Sequence, residues 1–518
     1  MYPGYWSKKH GDKPAAINPE TGESLSYRQL DERSMQLAQL MYHKGLRRGD
    51  HIALFMENNL RYFEVVWAAL RSGLFFTPVN RFLTAEEAAY IINDCEAKLL
   101  ITSAYLKETA QKLLKHLDNN ASLRLMTEES AAGFQSYEEA IACYEPSELQ
   151  EQPLGTFMLY SSGSTGKPKG IVHRLPKRTV DKYPEAGVAT FRKLWGFNEN
   201  TIYLSTAPNY HSAPLLATTQ THRLGGTVIM MPKFDAERAL QLIETYGVTH
   251  SQWVPTMFNR LLKLPEETRS NYDISSMQCA IHGAAPCPKH IKQRMIDWWG
   301  PIIYEYYGAS EGTGQTHITS EEWLRKPGSV GKAIVGELHI CDDDGNELPA
   351  GETGTVYFEM PMVPFSYKND DQNTKAAQHP RHETWSAVGD MGYVDDDGYL
   401  FLSDRSSFMI ISGGVNIYPQ EIEDLLVAHP DVADAAVFGV PNEEMGEEVK
   451  AVVQLEQPDN KSEQLAEQLI AYTRSHLAHY KCPKSIEFIQ QLPRLETGKL
   501  YKKPLKEKYW QGHETEIV

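Results

Sequence analysis

Apolar residues along the chain recur at two alternating periods. From Leu30 to Lys44 they fall at helical spacing; Gly49-Asp50 interrupts, and His51-Ile-Ala-Leu-Phe55 is an apolar run of strand length. A further helix and strand follow, ending near Leu99-Leu-Ile-Thr102, and such alternation predicts a largely parallel sheet covered by helices. Residues 118 to 152 read as a polar, helix-prone excursion, and Thr156-Phe-Met-Leu-Tyr160 as one buried strand. Strands at Thr201–Ser205 and Gly226–Met231 and a helix at Ala236–Tyr246 then start a second α/β layer set. From Gly331 to Glu359, short segments broken by Asp342-Asp-Asp-Gly-Asn346 and Gly351-Glu-Thr-Gly354 carry hairpin signals and predict a small β-rich lobe. Ser403-Asp-Arg-Ser-Ser407 separates two apolar runs, and strand and helix patterns continue from Met409 to the end. The fold class is α/β: a large N-terminal domain, residues 1–404, of two α/β layered subdomains plus the β-rich lobe, then a smaller α+β C-terminal domain, 405–518, of a size that folds on its own.

Length and charge narrow the function. A chain of 518 residues is too long for one core, and 41% hydrophobic with 23% charged residues is ordinary for a globular protein. The formal charge of −17 opposes general binding to nucleic acid or anionic lipid, so an anionic substrate must be met by local positive groups. The start, Met1-Tyr-Pro-Gly-Tyr-Trp-Ser-Lys-Lys9, lacks an apolar signal core, and no stretch approaches the roughly 18 apolar residues of a membrane span. A cytoplasmic protein with no integral membrane association is expected. The six cysteines have no paired short spacing, which argues against a zinc site or a disulfide framework; Cys287, between two prolines, reads as structural.

The chemistry begins at Tyr160-Ser-Ser-Gly-Ser-Thr-Gly-Lys-Pro-Lys-Gly170. Ser161, Ser162, Ser164 and Thr165 supply short donors. Gly163 and Gly166 let backbone N–H groups approach oxygen, and Lys167 and Lys169 neutralise charge, as a polyphosphate requires. It is not a Walker loop: only two residues separate Gly163 from Gly166, and no Ser or Thr follows Lys167. A nucleotide is expected, but not the chemistry of a kinase or switch GTPase.

Four more segments accompany this loop: Tyr306-Tyr-Gly-Ala-Ser-Glu311, Ser386-Ala-Val-Gly-Asp-Met-Gly-Tyr393, Asp404-Arg405 with Ser412-Gly-Gly-Val-Asn-Ile417, and Pro493-Arg-Leu-Glu-Thr-Gly-Lys499. In this order and at these separations the chain resembles the adenylate-forming superfamily of acyl-CoA synthetases, peptide-synthetase adenylation domains and luciferases, from about residue 13 to residue 506. The resemblance implies activation of a carboxylic acid by ATP to an acyl-adenylate, then transfer to a thiol with release of AMP, and a C-terminal domain that is mobile. Lys499 then matches the lysine that bridges acid and α-phosphate, although Lys502, Lys503, Lys506 and Lys508 leave open a merely solvated basic tail. Glu311 corresponds to the Mg2+ carboxylate, and Ser310 keeps a hydroxyl where threonine is usual. Tyr307 matches the aromatic that stacks on adenine, within a nucleotide wall of Glu305, Tyr306 and Gly308; Gly283, Ala284 and Ala285 line the opposite side. Asp390 resembles the ribose carboxylate, with Arg405 its companion, and Gly413 and Gly414 the lining of a pantetheine tunnel.

His211 stands where amino-acid-activating relatives carry an aspartate, so the resemblance favours a simple carboxylic acid over an α-amino acid. Trp253, Val254, Met257 and Gly312 to Gly314 are reasonable lining for an acyl pocket. Ser407 stands at the hinge position in place of the usual Asp or Lys. Expected cofactors are ATP, Mg2+ and coenzyme A as co-substrate; the substrate is a hydrophobic, fatty acid-like carboxylic acid. Loading of a separate carrier protein, or a non-catalytic nucleotide-binding scaffold, are the rival readings. A homodimer is carried only as the commonest state for an enzyme of this size.

Overall fold

The computed structural model describes residues 1–118, 121–161, 168–182, 188–405, 408–412, 415–442, 445–494 and 500–511, and the counts below are of these. Two large sheets organise the first 335 residues. The six-stranded one has the order Gln135–Ser136, Leu123–Thr127, Leu99–Ser103, His51–Phe55, Phe75–Pro78, Thr156–Phe157, and every pair in it is parallel. The nine-stranded one runs Lys332–Val335, Gln315–Ile318, Ile303–Gly308, Cys279–His282, His250–Trp253, Ile202–Ser205, Thr227–Met230, Pro14–Ile17, Ser24–Ser26. Its centre is parallel and its edges antiparallel.

Helices cover the sheets because their apolar faces and end signals agree. Tyr27–His43 opens on Ser26, whose hydroxyl accepts from Gln29 N–H while the Gln29 side chain returns to the Ser26 N–H. Its buried stripe, Leu30, Leu37, Leu40 and Met41, packs into the core that the two sheets share. The excursion expected from 118 to 152 is in fact structured: Leu123–Thr127 lies inside the first sheet and Tyr137–Ala142 is a helix. Propensity missed this strand because its burial comes from neighbours far along the chain.

Thr156 to Tyr160 is likewise two short strands. Thr156–Phe157 completes the six-stranded sheet, whereas Leu159–Ser161 pairs with Lys169–His173, which pairs in turn with Phe365–Tyr367 in a small antiparallel sheet. The strands on either side of the phosphate segment therefore pair as antiparallel neighbours.

Residues 337–405 form the β-rich lobe: Glu337–Cys341, Gly354–Glu359, Asp390–Val394 and Leu400–Arg405, with Trp385–Ser386 at the side. Beyond it, five strands between Ile410 and Ile489 make a sheet in which Val432–Asn442 and Gly446–Leu455 are the long central hairpin. The helices Pro419–Val427 and Glu463–His476 bury Ile422, Leu426, Leu465 and Leu469 in a separate core. No described helix is long and apolar enough to cross a membrane.

Candidate active site

The strand Ile303–Gly308 carries the centre of the site. Alternation sends successive side chains to opposite faces, so Tyr304 and Tyr306 join the core shared by the large sheets while Glu305 turns to the helix Lys289–Trp299. There its carboxylate meets Lys292 at 2.5 Å, and the two side chains are only 6% and 0% exposed. The side chain of Glu305, expected beside the nucleotide, belongs to a buried ion pair. Burial pushes the Glu305 carboxyl upward and the Lys292 ammonium draws it back down. His282 Nε2 lies 3.6 Å from the same carboxylate, and burial, reinforced by Lys292, holds this imidazole neutral.

Past Glu305 the strand reaches Tyr307, whose hydroxyl donates to Asp390 Oδ2 at 2.7 Å. Two expected residues 83 positions apart are joined by this bond. Strand pairing sets Arg405 directly across from Asp390; the Arg405 side chain lies outside the described atoms. On the other side of the strand, the turn after His282 contains Gly283, Ala284 and Ala285. A Cβ on Gly283 would sit 2.9 Å from the Tyr306 carbonyl oxygen, so only glycine lets this turn approach the strand so closely. Ala284 holds φ +68°, a left-handed conformation that alanine adopts at a cost of order 1–3 kcal/mol. Such strain is characteristic of a ligand-shaped turn.

Gly308 then leads to the turn Ser310–Gly312. Glu311 is buried, 8% exposed, and one of its carboxylate oxygens accepts the Tyr367 hydroxyl at 2.9 Å. Ser310 Oγ donates to Ser212 Oγ at 3.2 Å, which draws the start of helix Ser212–Leu224 to the same place. Lys169 lies 3.6 Å from Asp370 and over the Tyr367 ring, so the hairpin that holds the phosphate segment faces Glu311. His211 precedes that helix. Its Nε2 is sealed from solvent without a hydrogen-bond partner, and burial lowers its pKa to about 3, so the imidazole is neutral.

Several expected residues lie outside the described ones: Ser162, Gly163, Ser164, Thr165, Gly166 and Lys167, then Ser407, Gly413, Gly414 and Lys499; of Ser161 only the backbone is described. On either side of the stretch containing Lys499, Arg494 bridges to Leu500 and Tyr501 N–H donates to the Pro493 carbonyl. Lys502 is not a solvated tail residue: it is buried in an ion pair with Glu423 at 2.7 Å. Trp253 and Met257, expected in an acyl pocket, pack with Phe258, Trp299 and Val254 in the core beneath the second sheet. Burial pushes the Cys287 thiol well up.

These contacts join the separated motif segments of an adenylate-forming enzyme. The chain belongs to the AMP-binding enzyme family: the family model matches residues 5–367, and the model of the AMP-binding enzyme C-terminal domain matches 421–499. It is 30% identical over 503 residues to the long-chain-fatty-acid–CoA ligase FadD13 of Mycobacterium tuberculosis, covering 96% of this chain and 95% of that protein. It is 29% identical over 506 residues to the fatty acid–[acyl-carrier-protein] ligase ScoC of Streptomyces coeruleorubidus, covering 94% and 92%. The crystal structure of ATP-bound MatB from Rhodopseudomonas palustris superposes with a TM-score of 0.83 at 28% identity, covering 99% of both chains.

Sequence reasoning missed Tyr367, Ser212 and Lys292. Tyr367 and Ser212 reach the site only through the fold's long crossings. Lys292 did leave a signal: a lone lysine on the helical stripe of Met295, Ile296 and Trp299.

Proposed function

We propose that the protein is an AMP-forming acid:CoA ligase acting on a hydrophobic, fatty acid-like carboxylic acid. The observation that carries this reading is the convergence of Asp390, Tyr307, Glu311 and the Lys169 hairpin on one place, with a neutral imidazole at His211 instead of an anion. ATP lies with adenine between Tyr307 and the Gly283–Ala285 turn, ribose hydroxyls on Asp390 with Arg405 beside it, and phosphates in the 161–167 segment near Lys169. Glu311 would hold Mg2+, whose preference for hard oxygen ligands its buried carboxylate meets. Bound there, the ion would screen phosphate charge.

The acid's carboxylate oxygen attacks the α-phosphorus and pyrophosphate leaves. Lys499 neutralises the charge where acid and phosphate meet. The C-terminal domain, 405–518, then turns about the segment containing Ser407 and brings Gly413 and Gly414 to line a path for the pantetheine thiol. The thiolate sulfur attacks the acyl carbon, the C–O bond to AMP breaks, and the thioester is released. Coenzyme A as acceptor, a homodimeric state and a cytoplasmic location complete the proposal.

Carrier loading is the second reading, supported by likeness to ScoC. A panel of acids with ATP, MgCl2 and coenzyme A, read by mass detection of thioesters, tests both. Acyl-CoA is the expected product; acid-dependent pyrophosphate release without acyl-CoA supports the carrier-loading enzyme.

A further inference from the structure

One histidine that the reaction does not use joins three segments of the site. His173 ends the strand Lys169–His173, which leaves the phosphate segment. Its Nε2 lies 3.0 Å from the carbonyl oxygen of Ser310 and its Nδ1 lies 3.2 Å from the carbonyl oxygen of Pro364. Both partners are acceptors only, so a neutral imidazole, with a single N–H, donates to one of them, and the shorter contact, to Ser310, is taken as the bond. The Ser310 contact spans 137 positions and the Pro364 contact 191, so neither follows from local chain geometry.

The two carbonyls belong to the segments that build the metal carboxylate. Ser310 directly precedes Glu311, and Pro364 directly precedes the strand Phe365–Tyr367, whose tyrosine donates to Glu311. The ring also closes over the far side of the turn, since a Cβ added to Gly312 would sit 3.6 Å from its Cε1. The Phe157 ring meets it edge-on at 6.1 Å, so the imidazole is held from behind by the sheet that feeds the hairpin. His173 itself is half-buried.

We propose that His173 is a positioning residue: it fixes the Ser310–Glu311 turn at a set separation from the strand Lys169–His173, so that the Glu311 carboxylate is held in place for the metal. The inference rests on the reading of Glu311 given above. A bridge that only stiffened the fold would serve both half-reactions equally. A bridge that sets Glu311 against the phosphates serves adenylation, and it becomes critical when Mg2+ is scarce.

The test uses the full-length protein with the best acid of the panel and varied MgCl2, for His173→Phe and His173→Gln. Pyrophosphate release measures the first half-reaction, and acyl-CoA formed from supplied acyl-AMP measures the second. For His173→Phe the first is expected to fall about 10- to 100-fold, as for loss of a ligand-orienting group. Half-saturation with MgCl2 should move to higher concentration while the second half-reaction stays within about twofold. His173→Gln, which keeps an N–H donor, should recover part of the loss; if His173→Phe is insoluble, the same split read on His173→Gln decides. Equal loss in both half-reactions, or no change in MgCl2 dependence, overturns the proposal. A wild-type protein with no acid-dependent pyrophosphate release would instead overturn the ligase reading itself.

Discussion

Lys292→Met removes the cation from a pair whose members are 0% and 6% exposed and 2.5 Å apart, while keeping most of the side chain's apolar stem. Glu305 would then be a carboxylate in a dry core. His282, 3.6 Å away, cannot replace the ammonium because burial keeps its ring neutral. Removing one partner of such a pair costs about 3–5 kcal/mol, because an uncompensated charge stays behind. At about 2 °C per kcal/mol, suitable for a large unit, the unfolding midpoint should drop by roughly 6–10 °C. Lys292→Met combined with Glu305→Leu removes both charges at similar volume and should recover most of that loss, since an apolar pair is often as stable as a buried ion pair. Calorimetry of wild type, single and double variants at pH 7 measures this directly. A single variant within about 2 °C of wild type, or a double variant worse than the single, would refute the reasoning.

Further outcomes follow from the same geometry. Lys499→Ala should abolish acid-dependent pyrophosphate release while acyl-CoA formation from supplied acyl-AMP stays largely intact; equal loss of both contradicts the assigned role. Asp390→Ala removes an acceptor of charge-assisted hydrogen bonds worth about 1.5–3 kcal/mol, so the KM for ATP should rise roughly 10- to 100-fold with the KM for the acid little changed. For pH, burial lowers the pKa of His222 to about 3 and that of His250 to about 4, so both are neutral in the fold yet bind protons near pH 6.5 when unfolded. The unfolded state therefore takes up more protons as pH falls, and stability declines from about pH 6.5 down to about pH 4 by up to roughly 1.4 kcal/mol per pH unit for each histidine. Midpoints measured from pH 7.5 to 5 should fall; a midpoint that holds or rises toward pH 5 opposes this.

Much of the site was legible because its residues sit in short, ordered segments. Tyr307, Glu311 and Asp390 each lie inside a segment that carries the resemblance to the family, and the structure joins these segments through Tyr307 to Asp390 and Tyr367 to Glu311. What was not legible depends on contacts between distant parts of the chain. Tyr367 reaches Glu311 because Phe365–Tyr367 pairs with the phosphate hairpin, a register that local pattern does not specify. Glu305 shares a strand face with Tyr307, so alternation does not set it apart; its pairing with Lys292, like the packing of Trp253 on Trp299, depends on where the helix Lys289–Trp299 lies, which local pattern does not specify. The two-way split of Thr156 to Tyr160 was hidden by a continuous apolar run that satisfies either sheet.

The central claim, that the acid's oxygen attacks the innermost phosphorus of ATP, is tested most directly by isotope transfer. With an acid labelled with 18O in its carboxyl group, ATP and coenzyme A, one turnover should place a single 18O in AMP and none in pyrophosphate. Label in inorganic phosphate, or AMP that carries none while acyl-CoA forms, would contradict the account.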